Sequence, residues 1–299
     1  MPATAERAEA RAAWLLSAPA LLGLALFLAL PFALAVALSF TNLRLGSPLP
    51  LEWVGLEQYA RVLADPRFRQ ALGNNLAFAA VVVPVQTACA LGLALLLHGR
   101  LRARALYRAA FFLPVVFPLA LVAVLWVLLY APGPGGLVNR ALALLTLGHW
   151  TPRDFLHDPA WALPAIMVTS IWQGVGFQMV ILLAGLQGIP RHLYEAAALD
   201  GAGRWARFRH VTLPGLRNPL AFTALVTTIL AFRLFDQVRI MTRGGPAGAT
   251  TTVVHEIFEA AYVRAQAARA SAMTVILFLI VLAITLLQRR LAAHRRWGG

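Results

Sequence analysis

Six apolar stretches alternate with short polar segments along the chain, at residues 12–40, 71–97, 106–130, 160–187, 218–236 and 270–288. Each is about the 20 residues that a helix needs to cross a hydrocarbon layer of about 30 Å, or longer. Lipid offers backbone groups no hydrogen-bond partner, so a spanning segment of this kind must be helical. The predicted fold class is all-α: a polytopic membrane protein with six transmembrane helices. Pro31, Pro84, Pro114, Pro118 and Pro164 fall inside these stretches and predict kinks. The first stretch follows Arg7 and Arg11, as a signal sequence would, yet it is far longer than a cleavable apolar core of about 7–15 residues. It is expected to stay as an anchor.

Composition agrees with this pattern. The 299 residues are 60% hydrophobic and only 13% charged, about half the charge of an ordinary soluble domain. Charge then orients the spans. Placing the N-terminal tail in the cytoplasm puts 15 arginines on that side (Arg100, Arg102, Arg104 and Arg108 in one loop, Arg295 and Arg296 in the last tail), against 10 on the longer opposite loops. The excess of basic residues in cytoplasmic loops predicts both termini inside. The expected organisation is a cytoplasmic N-tail at 1–11, a transmembrane domain at 12–291 and a cytoplasmic C-tail at 292–299. The net charge of +14 sits in separated loops, which suits contact with anionic lipid headgroups and gives nucleic acid no continuous groove.

Several chemistries are not suggested. All 26 basic residues are arginine, so the lysine that a P-loop needs is missing and no ATP hydrolysis by that route is expected. Cys89, the single cysteine, lies in an apolar stretch and is expected to pack there. The seven histidines show no pair with metal-binding helical spacing, so no metal is expected.

Between the fourth and fifth spans lies the largest cytoplasmic loop. Pro190 can open a helix, RHLYEAAALD continues it, and Gly201 and Gly203 break it. A second short helix, roughly RWARFRHV, is predicted to end before Pro214. Ala196 and Ala197 allow close approach by another surface, while Leu193, Leu199, Trp205 and Phe208 give more apolar area than a solvated loop needs. Two readings fit: a helix docked in the groove of a partner, or an amphipathic helix lying flat on the bilayer.

The segment EAAALDGAGRWARFRHVTLPGL resembles the EAA motif of ABC importer permeases, with Glu195, Ala196, Ala197, Gly203 and the ending Val211-Thr212-Leu213-Pro214. IWQGVGFQMVILLAGLQGIP before it and FDQVRIMTRGGPAGATTT after it are similar to the carbohydrate-uptake branch that includes maltose and sn-glycerol-3-phosphate permeases. So are SFTNL, WVGLEQYARVLADPRFRQALGNNLAF and YRAAFFLPVVFP, and the likeness runs from residue 12 to 291. The resemblance implies a permease of the bacterial inner membrane that pairs with a homologous second permease, receives a sugar or polyol from an extracytoplasmic solute-binding protein, and is driven by a cytoplasmic ABC ATPase dimer. It implies no cofactor on this chain, with ATP and Mg used by the ATPase. It makes Glu195, Ala196, Ala197, Asp200, Gly201, Gly203, Arg207, Phe208, Leu213 and Pro214 the coupling residues.

Within the spans the polar side chains are few: Asn74, Asn75, Gln86, Thr87, Thr169, Ser170, Gln173, Gln178, Thr223, Thr227, Thr228, Ser271 and Thr274. Such groups also bond helix to helix. The resemblance implies that Trp172, Gln173, Gly174, Phe177, Gln178 and Thr227 line a substrate pathway. Two positions depart from the family pattern. Arg233 stands at the end of the fifth span where an uncharged or amide side chain is expected, with Asp236 three residues on as one possible partner and the outer interface as the other resting place. The Gly-Tyr pair often found before the sixth span is replaced around Ala268 and Arg269, a change expected to touch only a loop.

Two other functions fit the sequence less well. An intramembrane transferase needs a catalytic carboxylate, histidine or metal set, yet the 12 acidic residues sit in loops or at span ends without clustering. An ion-coupled carrier usually shows internal repeats and buried ionisable residues along an ion path, and the sequence has neither.

Overall fold

The computed structural model describes residues 2–99 and 102–294, and the side chains of 12–291 within them. Arg100, Arg295 and Arg296 lie outside the described residues, as do the side chains of Arg7 and Arg11 and those of the expected C-tail from 292.

Every regular element among the described residues is a helix, with no strand and one isolated bridge between Thr41 and Trp53. In chain order the helices are α1 (Pro2–Leu24), α2 (Leu30–Leu38), α3 (Glu57–Ala64), α4 (Pro66–His98), α5 (Arg104–Val116), α6 (Leu119–Leu129), α7 (Leu137–Leu145) and α8 (Ala162–Gln187). Then follow α9 (Arg191–Leu199), α10 (Arg204–Arg207), α11 (Leu213–Gly215), α12 (Arg217–Phe232), α13 (Asp236–Met241), α14 (Val253–Phe258) and α15 (Ala267–His294). Four stretches are long and apolar enough to cross a membrane: Ala12–Leu38, α4, α8 and Ala267–Leu291 of α15. Two bent pairs bring the total to six if each is one span: α5 with α6, at 99°, and Arg204–Gly215 with α12, at 64°.

The first bent pair is broken where a kink was expected. Phe117 (ψ 141°) and Pro118 (ψ 138°) are both extended, because proline pushes its predecessor out of the helical region, and the two together turn the chain. The fifth span is also shorter than expected. It ends at Phe232, and Arg233 to Phe235 separate it from α13.

By its internal contacts the chain forms two units. One comprises Pro66–Glu256 with Leu279–Gly299. In lipid there is no gain from hiding one apolar face against another, so close packing and side-chain hydrogen bonds must hold helices together. Small residues supply the closeness. A Cβ on Gly174 would strike the Gln86 amide of α4, and one on Gly185 would press on Pro219 and Leu216. Below these, Ala90, Ala94 and Leu97 of α4 pack with Met179, Leu182 and Leu186 of α8. The buried residues of α4 recur every three or four positions, through Val82, Gln86, Ala90 and Ala94. Cys89 is one residue off this stripe and is exposed, so it does not pack inside the chain as expected.

Hydrogen bonds tie the loops to this bundle. Asn75 Nδ2 donates to the Ala231 carbonyl (3.2 Å) and its Oδ1 accepts from the Val253 N–H (2.8 Å). Asn74 Nδ2 donates to the carbonyls of Gly248 and Thr251, both at 2.9 Å. Another loop closes around Asn139, which accepts from Trp150 Nε1 (3.0 Å) and the Arg153 N–H (2.9 Å) and donates to the Arg153 carbonyl (2.8 Å).

The other unit comprises Met1–Asp65 with Ile257–Phe278. The rings of Phe32 and Phe278 lie 4.7 Å apart, and Ser39 Oγ and Tyr59 Oη share a 2.6 Å hydrogen bond. Arg269 forms an ion pair with Asp65, both side chains mostly buried. The departure at Ala268 and Arg269 therefore falls inside α15 and joins it to the end of α3, where a mere loop change was expected.

Candidate functional site

Along α8, Ser170, Gln173, Gly174, Phe177 and Gln178 recur at helical spacing and face a cavity of about 420 Å³. Gln86 of α4 and Thr223 and Thr227 of α12 complete the polar part of its wall, with Arg233, Asp236 and Gln237 at the end of α12 and the start of α13. Of the residues implied for a substrate pathway, Gln173, Gly174, Phe177, Gln178 and Thr227 stand on this wall. Trp172 does not. It falls between the positions of the α8 stripe, is 44% exposed, and meets Trp126 of α6 edge-on with ring centroids 5.5 Å apart.

Most of the polar wall is joined internally. Ser170 Oγ donates to Gln237 Oε1, Gln237 Nε2 donates to Gln173 Oε1 at 3.2 Å, and Gln173 Nε2 reaches the Phe117 carbonyl at the α5–α6 break. On the facing side Gln178 Nε2 donates to Thr227 Oγ1, which donates to the Thr223 carbonyl at 2.7 Å. Gln178 Oε1 is buried and has no partner among the described residues. Gln237 was missed from sequence because the fifth span was drawn through to 236, and the break that creates α13 carries no apolar signal.

Arg233 is exposed and lines the cavity, and among the described residues no ion pair joins it to Asp236. Of the two resting places open to Arg233, the pairing with Asp236 does not form among the described residues. Since α12 ends at Phe232, the helical three-residue spacing that would bring the two side chains together is lost.

The loop between α8 and α12 is a helix-turn-helix. Pro190 is extended (ψ 132°) and starts α9, and Gly201 takes φ +74°, a conformation costly for any residue with a Cβ. Gly203 is extended and caps α10. The second helix does not end before Pro214, as expected. It continues through a π-helical turn, Phe208–Thr212, into α11, with Pro214 in the first turn of that last piece, where its missing N–H costs little. Tyr194 Oη and Thr212 Oγ1 (3.0 Å) fasten one helix to the other.

Its surface is unusual for a loop. Leu199 is 90% exposed, Trp205 70% and Leu193 44%, and Trp205 stacks on Phe208 with centroids 5.4 Å apart. Glu195, Ala196, Asp200, Gly201, Gly203, Leu213 and Pro214 are exposed, while Ala197, Arg207 and Phe208 are half-buried. Glu195 and Asp200 make no side-chain hydrogen bond or ion pair among the described residues, and Arg207 Nε is buried without a partner.

The sequence pattern of the family described as "Binding-protein-dependent transport system inner membrane component" matches residues 86–297. The chain belongs to this family. The permease is 34% identical over 280 residues to a probable ABC transporter permease protein, YurN, of Bacillus subtilis, covering 93% of this chain and 94% of that one. It is 36% identical over 244 residues to the trehalose/maltose transport system permease protein MalF of Thermococcus litoralis, covering 82% and 81%. In fold it is similar to a chain of a bacterial alginate ABC transporter solved in complex with an alginate pentasaccharide-bound periplasmic protein, with a TM-score of 0.82 over 97% of this chain and 98% of that chain, at 21% identity. The permease is thus an inner-membrane transport component with the all-α ABC permease fold.

Proposed function

We propose that the permease forms half of the translocation pathway of an ATP-driven sugar importer and takes its power stroke through the loop at 190–216. The relative named for trehalose/maltose transport supports a sugar or polyol as cargo. The observation that carries the coupling role is the exposed apolar surface of Leu193, Leu199 and Trp205 beside unpaired Glu195 and Asp200. A loop that simply faces water would not hold such area exposed.

The roots of the loop suit a lever. A Cβ on Gly215 would press on Ile189, and Leu216 is fully buried, so the loop's second helix is seated on the end of α8 before the chain turns 64° into α12. Thr223 and Thr227 of the cavity wall lie on α12 itself. A push on Glu195, Ala196, Ala197, Gly203, Arg207 and Phe208 would tilt α12 as a rigid body and move that wall. Leu213 and Pro214 would transmit the motion.

The partners in this reading are a homologous second permease, a cytoplasmic ABC ATPase dimer that uses ATP and Mg, and an extracytoplasmic solute-binding protein. The chain would lack an ATPase site and cofactors of its own, and both termini would face the cytoplasm. Gentle affinity purification from membranes tests it: an ABC ATPase subunit should accompany the permease, and uptake in proteoliposomes should need internal ATP and persist with a protonophore. Uptake abolished by the protonophore at constant ATP would favour an ion-coupled carrier instead.

A further inference from the structure

Two charged side chains, Arg233 and Asp236, stand on the cavity wall among neutral groups. Their neighbours are largely occupied with each other: Ser170 with Gln237, Gln237 with Gln173, Gln178 with Thr227. Arg233 is exposed to the cavity and has no side-chain partner among the described residues. Nor is it at the loop end of α12. The helix is 16 residues long, so Arg233 is about 24 Å from the coupling loop along the axis. A guanidinium just beyond the end of α12, exposed on the cavity wall and left free of the one carboxyl group on that wall, has its donors available to a ligand.

Building on the importer reading, we infer that Arg233 receives an anionic group of the transported solute, so that the pathway takes a sugar bearing a single acid group, such as a carboxylate, sulfonate or phosphate, in preference to its neutral counterpart. The planar fork of arginine matches the paired oxygens of such groups and binds them by charge-assisted hydrogen bonds. Asp236 provides an acceptor on the same wall, which suits a hydroxyl donor of the same sugar ring. Asp236 also sets a limit, since a second acid group on the solute would meet its carboxylate. Phe177, 39% exposed on the same wall, offers a ring face to the apolar side of the sugar.

The test is a titration of the purified permease assembly in lipid nanodiscs with glucose, glucuronate, glucose 6-phosphate and glucose 6-sulfonate, followed by thermal unfolding. At least one acidic probe should stabilise the wild type at a concentration about tenfold or more below that needed for glucose, and the acid that does so identifies the group. Arg233→Gln should remove that preference, and Arg233→Lys should keep part of it through charge alone. Unliganded R233Q should unfold at the wild-type temperature, which separates ligand binding from a structural role. The proposal is overturned if glucose binds as well as every acid, or if R233Q binds the acids as the wild type does. An assembly that captures no ATPase subunit would overturn the importer reading instead, while the same titration still decides the role of Arg233.

Discussion

Gly176 of α8 lies directly against the backbone of Phe111 in α5, so close that a Cβ there would collide with the Phe111 carbonyl. This contact fixes the distance between the two helices, and α5 carries the chain to the break whose Phe117 carbonyl accepts from Gln173. Gly176→Ala should therefore overpack the crossing at a cost of about 1–3 kcal/mol, seen as a lower unfolding temperature in detergent. Gly73→Ala, at an exposed position of α4 where an added Cβ meets nothing, should hold or raise the unfolding temperature in the same assay, because alanine favours a helix over glycine.

Gly201 and Gly203 are only two residues apart in the loop at 190–216, yet they should respond differently. At φ +74° Gly201 needs glycine, and Gly201→Val should cost at least about 1–2 kcal/mol of stability. Gly203 is extended, with open space where a Cβ would point. On the proposed docking, Gly203→Val should leave the unfolding temperature near that of the wild type and uncouple ATP hydrolysis from uptake, because no atom of the described residues lies where its Cβ would point. Full ATP-dependent uptake by G203V would count against docking at this loop.

Asn139 is 1% exposed and serves both Trp150 and Arg153. Removing it by Asn139→Ala leaves two donors without their acceptor, at about 1–3 kcal/mol each when buried. The segment 131–158 should then open locally, which protease cleavage within it would report while the helices resist.

Asn75 joins α4 to the end of α12 and to the start of α14 through one side chain that is fully buried. Asn75→Ala should orphan the Val253 N–H and cost about 1–3 kcal/mol. Thermal unfolding would show the loss, and hydrogen exchange at Val253 should rise by at least tenfold. Unchanged exchange there would mean that water replaces the amide.

The spans were legible because each is a single long-range property of composition: about 20 apolar residues in lipid must close their own hydrogen bonds, whatever they pack against. The loop was legible for a local reason. Pro190, Gly201 and Gly203 act on the backbone dihedrals of their own segment, and α9 begins and ends where they dictate. The cavity stripe on α8 follows from helical spacing, and that spacing also excludes Trp172, although the residue is adjacent in sequence to Gln173. What failed were places decided by neighbours. How far the chain turns at the expected break of Phe117 and Pro118, the stop of α12 at Phe232 and the π-helical continuation through Phe208–Thr212 depend on which helices lie alongside. The burial of Arg269 against Asp65 and the exposure of Cys89 depend on which face meets another chain segment and which meets lipid.

By itself, then, the sequence determined the class, the number of apolar segments and the helix-turn-helix of the loop, since these rest on hydrophobicity and backbone preference within one segment. Only the tertiary structure decided that Arg233 and Asp236 share a cavity without joining, and that glycines 174, 176 and 185 are points of helix contact. Partnership between residues is set by distances across the bundle, and no pattern along a single strand of sequence encodes those distances.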